Sequence, residues 1–153
     1  MQFGRVSPSE HQEVLDLLAR CGLPTEDVDL ELLRHFIRAR GAAGFAGVVG
    51  IEPLDHAALD HAALGHAALL RSLAVAPDQR GLGVGSRLCD EAESLARAGE
   101  FSDLYLLTTT AADWFAARGY ARVERDALPD AVRETREFRQ FCPASAVAMH
   151  KRL

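Results

Sequence analysis

Apolar positions recur at two periods along this chain, and each change of period marks an element. Val14, Leu15, Leu17 and Leu18 share one side of a helical period. They follow Ser7-Pro8-Ser9-Glu10, which reads as a cap, a proline at the first helical position and a glutamate placed to bond back to the cap. A helix is expected there, with Gly22 as its left-handed stop before Leu23-Pro24. From Leu33 to Ala39 the period falls to two: Leu33, His35 and Ile37 alternate with Arg34, Phe36 and Arg38. With the apolar run Gly44 to Ile51 beyond a glycine-rich turn, this predicts an antiparallel hairpin. A strand is expected at Leu69 to Val75. From Gly83 the period is helical again, with Val84, Leu88, Ala92 and Leu95 on one face and Arg87, Asp90, Glu91 and Glu93 turned away, until Gly99. A strand at Asp103 to Leu107 comes next. Thr110 is the expected cap of a further helix, with Asp113 at its third position, Trp114 and Phe115 inside and Gly119 closing it. A strand at Tyr120 to Glu124, a loop with a short helix around Ala131 to Phe141, and a strand at Ala146 to Leu153 complete the order. The fold class is α+β: a mixed, mostly antiparallel sheet of six or seven strands flanked by helices, in one domain over residues 1–153.

One segment breaks this order. DHAALDHAALGHAALL holds three copies of a five-residue unit with histidines at His56, His61 and His66. Five residues turn a helical position by about 140°, so these imidazoles share neither a helical face nor one side of a strand. The segment is read as a solvated insertion with a helical turn or two, and no metal site is expected.

Composition narrows the functional classes. At 48% hydrophobic and 25% charged, the 153 residues match ordinary folded domains. The net charge is −5 and 16 of the 17 cations are arginines spread along the chain, so the concentrated basic face of a nucleic-acid binder is missing. Cys21, Cys89 and Cys142 are odd in number and far apart, which offers neither a disulfide framework nor a CxxC clamp and points to a reducing compartment. The start carries no leader-like pattern, and no run approaches the roughly 18 apolar residues of a membrane span. A cytoplasmic address without membrane attachment is expected.

The segment Leu73 to Gly85 carries the chemistry. A strand runs into glycines at 81, 83 and 85 and then into an amphipathic helix, whose first N–H groups and dipole favour an anion. Glycines at a turn also serve tight strand–helix packing, so spacing has to decide. The dinucleotide pattern G-x-G-x-x-G fails because residue 88 is leucine, and the P-loop fails for want of a following Lys-Ser/Thr. The pattern R-G-x-G-x-G at Arg80 to Gly85, preceded by V-x-P at Val75 to Pro77, resembles motif A of the GNAT acyl-CoA-dependent N-acetyltransferases. The resemblance continues through A-x-x-F-x-x-x-G-Y at Ala112 to Tyr120.

That resemblance implies that the strands at Leu69 to Val75 and Asp103 to Leu107, the family's strands 4 and 5, splay apart to admit the pantetheine arm of acetyl-CoA. It places main-chain contacts to the arm at Leu73, Ala74 and Val75, and the pyrophosphate on the N–H groups of Arg80, Gly81, Leu82, Gly83, Val84, Gly85 and Ser86. Donors at Leu73 to Val75 also suit a carbonyl oxygen on which charge builds. Homodimers are frequent in the family, although no interface is legible in the periodicity. The ending is more specific. Leu128-Pro129, Val132 to Phe138, and Phe141-Cys142-Pro143-Ala144-Ser145-Ala146 resemble the arsenic-resistance-associated N-acetyltransferases, a GNAT subfamily. This implies a small-molecule amine as acceptor, of the kind of an amino acid-like arsenical or phosphinate toxin. The histidine-containing insertion at Asp55 to His66 departs from the subfamily, and it is expected to leave the cofactor site intact and to cover or crowd the acceptor entrance.

Amine acetylation needs a neutral amine and a proton for the departing thiolate. Many GNAT enzymes take that proton from a tyrosine on the second motif's helix, where this chain has Phe115. Tyr120 sits five residues later, where core packing is the plainer role. The thiolate then leaves unassisted or takes its proton from water or another group. Candidate catalytic residues lie near the C-terminal motif: Glu137, as acceptor of the amine proton, and Thr135 and Ser145, which can orient an acceptor. Arg71, Arg133 and Arg136 are candidate partners for an anionic acceptor. Cys142 is a nucleophile, an arsenic-sensing thiol or core filler. The expected function is acetyl-CoA-dependent N-acetylation of a small amine. A catalytically silent acyl-CoA-binding or arsenical-responsive module is the alternative, and protein acetylation stays open.

Overall fold

The computed structural model describes residues 1–54, 66–141 and 143–153. Its strands are β1 (Gln2–Arg5), β2 (Phe36–Gly41), β3 (Gly44–Pro53), β4 (His66–Val75), β5 (Phe101–Thr108), β6 (Ala121–Val123) and β7 (Val147–Arg152). Between them lie α1 (His11–Arg20), α2 (Leu30–Leu33), α3 (Val84–Ala98), α4 (Ala112–Ala117) and α5 (Asp130–Arg133), with a π-helical turn at Glu137–Phe141. The strands form a seven-stranded sheet in the order β1-β2-β3-β4-β5-β7-β6. Pairing of β1 with β2, β2 with β3, β5 with β7, and β6 with β7 is antiparallel, whereas β4 and β5 are parallel. This is the mixed, helix-flanked sheet that the order of periods predicts. The chain divides into two compact units, Met1–Glu52 with Leu70–Leu95, and Pro53–Leu69 with Ala96–Leu153.

The first unit is built on α1. Ser7 donates its N–H to Glu10 Oε1 at 2.9 Å, the reciprocal bond of a capping box, and a 3-10 turn at Pro8–Glu10 leads into the helix. Val14, Leu17 and Leu18 pack with Phe36, Val48, Ala74 and Ala76 in one core cluster. The expected strand start at Leu33 is corrected: Leu30–Leu33 form one helical turn instead, because Asp29 caps it by accepting the Leu32 N–H at 2.9 Å. In α3, Val84, Leu88 and Ala92 are buried as expected. Glu93 is buried too, since it stands four residues after Cys89 and three before Ala96, both inside the apolar stripe. The helix sits close over β3 and β4: a Cβ on Gly47 would come within 2.8 Å of Leu88 Cδ1 and 2.9 Å of the Ala74 carbonyl oxygen.

In the second unit β5 is flanked by β7 and the first residues of β4. The parallel ladder runs His66↔Phe101, Ala67↔Asp103, Ala68↔Leu104 and Leu69↔Tyr105, and among the described residues it has no further rung. Leu54, Ala67, Leu69, Leu128, Ala131, Val132 and Ala148 form its core cluster, with Tyr105, Leu107, Val123 and Phe138 packed against it. The expected cap of α4 at Thr110 is corrected: the N-cap position is Ala111, which has no side-chain oxygen to offer, and Thr108 Oγ1 accepts the Ala111 N–H at 3.0 Å in the turn before the helix. The expected helix at 131–141 resolves into α5 and the π turn. His56, His61 and Cys142 lie outside the described residues, while His66 opens β4 with its ring edge-on to Phe101, centroids 6.1 Å apart. Among the described residues no helix is long and apolar enough to cross a membrane, and no group of three or more His, Cys, Asp or Glu is placed to hold a metal.

Candidate active site

The glycine-rich segment takes the shape its glycines permit. After a 3-10 turn at Pro77–Gln79, Arg80 is extended, Gly81 has φ +81° and Gly83 has φ +80°, and α3 begins at Val84. A Cβ built on either glycine would meet nothing within 4 Å, so backbone conformation and not crowding requires glycine here. Leu82, between two left-handed residues, is 69% exposed. Arg87 N–H bonds to the Gly83 carbonyl at 3.1 Å, the first bond of the helix. The N–H groups ahead of it have no place in the helical ladder, and with the positive end of a 15-residue helix they make a ready anion site.

β4 leads into this loop with one irregularity. Ser72 has φ +57°, a left-handed residue in a strand, at a cost of about 1–2 kcal/mol for a side chain with a Cβ. Arg71 and Ser72 close a run of six buried residues that begins at Ala67, as in a central strand covered on both faces. From Leu73 exposure alternates. Ala76 N–H bonds to Ala46 of β3 at 2.8 Å, and a two-residue period puts the Ala74 main chain on that same side, leaving Leu73 and Val75 facing the other. The Val75 carbonyl already accepts from Arg80 Nε at 3.1 Å and from the Cys21 thiol at 3.6 Å. Of the three residues expected to meet the arm, Leu73 therefore turns its main-chain groups away from β3, as does the N–H of Val75.

Arg71 is engaged in a way the sequence did not reveal. Its guanidinium is fully buried and bonds Asp27 at 2.6 and 2.8 Å, Glu52 at 2.8 Å and the Ser72 hydroxyl at 3.1 Å. Such a fork has no room for an anionic acceptor. Arg133 pairs with Asp130 at 2.8 Å, and Arg136 bonds Gln140, both at the surface.

A family model described as "Acetyltransferase (GNAT) domain" matches residues 33–122, more than half of the chain, from before β2 through α3 and into β6. The chain belongs to the GNAT acetyltransferases. An amino-acid acetyltransferase from Ralstonia nicotianae is 42% identical over 79 residues, 52% of this GNAT chain and 17% of that relative. The chain thus spans about a sixth of the length of that curated protein. Among solved structures, N-acetylglutamate synthase from Neisseria gonorrhoeae, complexed with coenzyme A and N-acetyl-glutamate, superimposes with a TM-score of 0.81 at 20% identity, over 99% of this chain and 35% of that one. A protein from Mycobacterium tuberculosis in complex with CoA gives 0.78 at 16% identity, covering 100% of this chain and 99% of its own. At these identities the likeness shows the fold.

In the family's second motif, Phe115 is 5% exposed and packs edge-on against Tyr120, centroids 5.5 Å apart. Tyr120 is 3% exposed with Lys151 over its ring, so it is a core aromatic. Among the catalytic candidates, Thr135 is buried: its hydroxyl donates to the Val132 carbonyl at 2.7 Å and accepts the Phe138 N–H at 3.2 Å. Glu137 opens the π turn with Oε2 buried, and Ser145 is exposed in the turn before β7. A further cluster had no sequence signal. His150 Nε2 lies 2.7 Å from Asp103 Oδ1, and its ring tilts over Tyr105, its cross-strand partner, with centroids 4.7 Å apart. Burial pushes the Asp103 carboxyl up, but bonds from His150 and Ser102 outweigh it and hold the group below its usual range. Burial and the Asp103 charge push the Tyr105 hydroxyl up.

Proposed function

We propose that this GNAT chain transfers the acetyl group of acetyl-CoA to the amine of a small, amino acid-like molecule by direct attack on the thioester. The observation that carries the reading is the pair of left-handed glycines opening α3 directly after β4, where Leu73 and the Val75 N–H are turned away from β3. In this reading the N–H groups of Arg80 through Ser86 hold the diphosphate of coenzyme A, and Arg80, tied to Val75, sets the loop's position. Leu73 and Val75 pair with the pantetheine arm, and the Leu73 N–H polarises the thioester carbonyl. Glu137 takes the amine proton and Ser145 orients the acceptor. Thr135 acts at one remove, because its hydroxyl is used in shaping the segment that presents Glu137.

An amino acid as acceptor is supported by the names of the curated relatives and by the synthase structure, which was solved with an N-acetylated amino acid. The narrower acceptor, an arsenical or phosphinate amino acid, rests on the resemblance of the segment Leu128 to Ala146. The test is thiol release from acetyl-CoA with a panel of amines that includes the common L-amino acids and phosphinate analogues. Turnover above hydrolysis with an amino acid is expected, and a Glu137→Gln change lowers it with coenzyme A affinity preserved. Binding of coenzyme A without turnover on any acceptor would instead identify a silent acyl-CoA-binding module, the reading that the missing hydroxyl at Phe115 favours.

A further inference from the structure

The left-handed residue in β4 is a serine, and nothing in its side chain prefers that conformation. In a regular strand Arg71 and Leu73 would face one way and Ser72 the other. The reversal at Ser72 changes the direction of the next N–H, that of Leu73, where the proposed function places the thioester carbonyl. A conformation that the residue itself opposes persists only where its surroundings over-determine it. Here the determinant is visible. Arg71 Nε donates to Ser72 Oγ at 3.1 Å, and the rest of the guanidinium is immobilised by both Asp27 oxygens and by Glu52 Oε1. Asp27 is itself buried, ahead of α2, so the anchor belongs to the core of the first unit and not to the strand it holds.

We propose that Asp27 and Arg71 form a clamp that holds the kink of β4 at Ser72 and so aims the Leu73 N–H at the thioester carbonyl. Arg71 is in this account a positioning residue: it touches neither cofactor nor acceptor. The inference rests on the role given to Leu73 above, and the test separates the two. The probe is acetyl-CoA labelled with carbon-13 at its carbonyl, whose stretching band reports polarisation without requiring any acceptor. Bound to the unsubstituted chain, the band shifts to lower frequency. In Arg71→Met it returns toward the value of free acetyl-CoA, while the dissociation constant for coenzyme A, set by residues 80–86, stays within about threefold.

The double variant Arg71→Met/Ser72→Gly distinguishes a clamp from a stabilising ion pair. Glycine adopts the left-handed conformation without help, so it restores the band although the lost ion pairs stay lost. Where Arg71→Met does not fold, Asp27→Asn serves, since it leaves one acceptor for the fork and loosens the anchor alone. With a mixture of the common L-amino acids, kcat falls at least tenfold in the single variants and recovers in the double variant. A band that keeps its bound position in Arg71→Met and in Asp27→Asn overturns the clamp. A band unshifted in the unsubstituted chain with acetyl-CoA bound removes the role of Leu73, and the clamp with it. Failure of that chain to bind acetyl-CoA removes the proposed function as a whole.

Discussion

Replacing Gly83 by glutamate and by glutamine separates the anion site from the backbone that builds it. Both side chains force a residue with a Cβ to φ near +80°, which costs about 1–2 kcal/mol of stability in either variant. Neither meets a protein atom at its Cβ, so no overlap is added. What differs is one negative charge beside the place assigned to a diphosphate. Two unit charges 4 Å apart repel by about 1 kcal/mol in bulk water and by about 4 kcal/mol at the effective dielectric of a protein surface. Against the two charges of a diphosphate the lower figure gives about 2 kcal/mol, and with 1.4 kcal/mol per decade the glutamate variant binds coenzyme A roughly 30-fold more weakly than the glutamine variant. Titration calorimetry at low ionic strength measures the ratio, and added salt should shrink it because the loop is exposed. Melting temperatures confirm that the two variants share the same backbone penalty. Equal affinities for coenzyme A in the two variants would refute the placement of the diphosphate on this loop.

Three further expectations follow from the same geometry. Gly50→Ala drives a Cβ into overlap with the ring edge of Phe36, its fully buried cross-strand partner, and should cost at least about 2 kcal/mol, a fall in Tm of roughly 4–8 °C by calorimetry. Burial pushes the Glu10 carboxyl up, but bonds from the Ser7 N–H, Arg40 and Arg38 prevail and lower it from 4.5 to about 2. Its contribution to stability is complete above the unfolded value near 4.5 and lost as pH falls through about 2, so the Tm gap between the natural chain and Glu10→Gln should be constant above about pH 5.5 and close toward pH 2. Thr135→Val leaves the Phe138 N–H without its acceptor and should cost about 1–3 kcal/mol in thermal unfolding, and unchanged stability would remove the structural role given to that hydroxyl.

Local rules made much of this fold legible. The capping box at Ser7 and Glu10, the stripe of α3 and the left-handed glycines at 22, 81 and 83 depend on neighbours within one turn, and each is present. Errors arose where two local signals competed. The alternation from Leu33 masked Asp29, whose carboxylate captures the Leu32 N–H and makes a helical turn before the strand can start. Two threonines, Thr108 and Thr110, stand ahead of α4, and the nearer was expected as the cap; the bond to the Ala111 N–H goes to Thr108, three residues back, the reach of a hydroxyl across a tight turn. Ser72 carries no signal at all, because its left-handed φ is imposed from outside its own segment.

The candidate site divides along the same line. Its anion loop is a consecutive run, so composition and spacing place it. Its arginines cannot be ranked that way, since Arg71, Arg133 and Arg136 are the same residue type in similarly mixed surroundings. Burial alone separates them. A guanidinium with no exposed surface has given up its hydration, a loss of several kcal/mol, and persists only if carboxylates replace the water. A buried arginine therefore requires acidic partners, yet the sequence offers 22 aspartates and glutamates and no means of choosing among them. The partners are Glu52 and Asp27, 19 and 44 residues upstream, brought to Arg71 only when α1, α2 and β3 have packed with β4. An arginine that looked like an acceptor's partner is thereby committed to the strand. An anionic group on the acceptor must find its cation elsewhere, and the surface arginines Arg133 and Arg136, whose partners Asp130 and Gln140 hold them in water, can exchange those contacts at little cost.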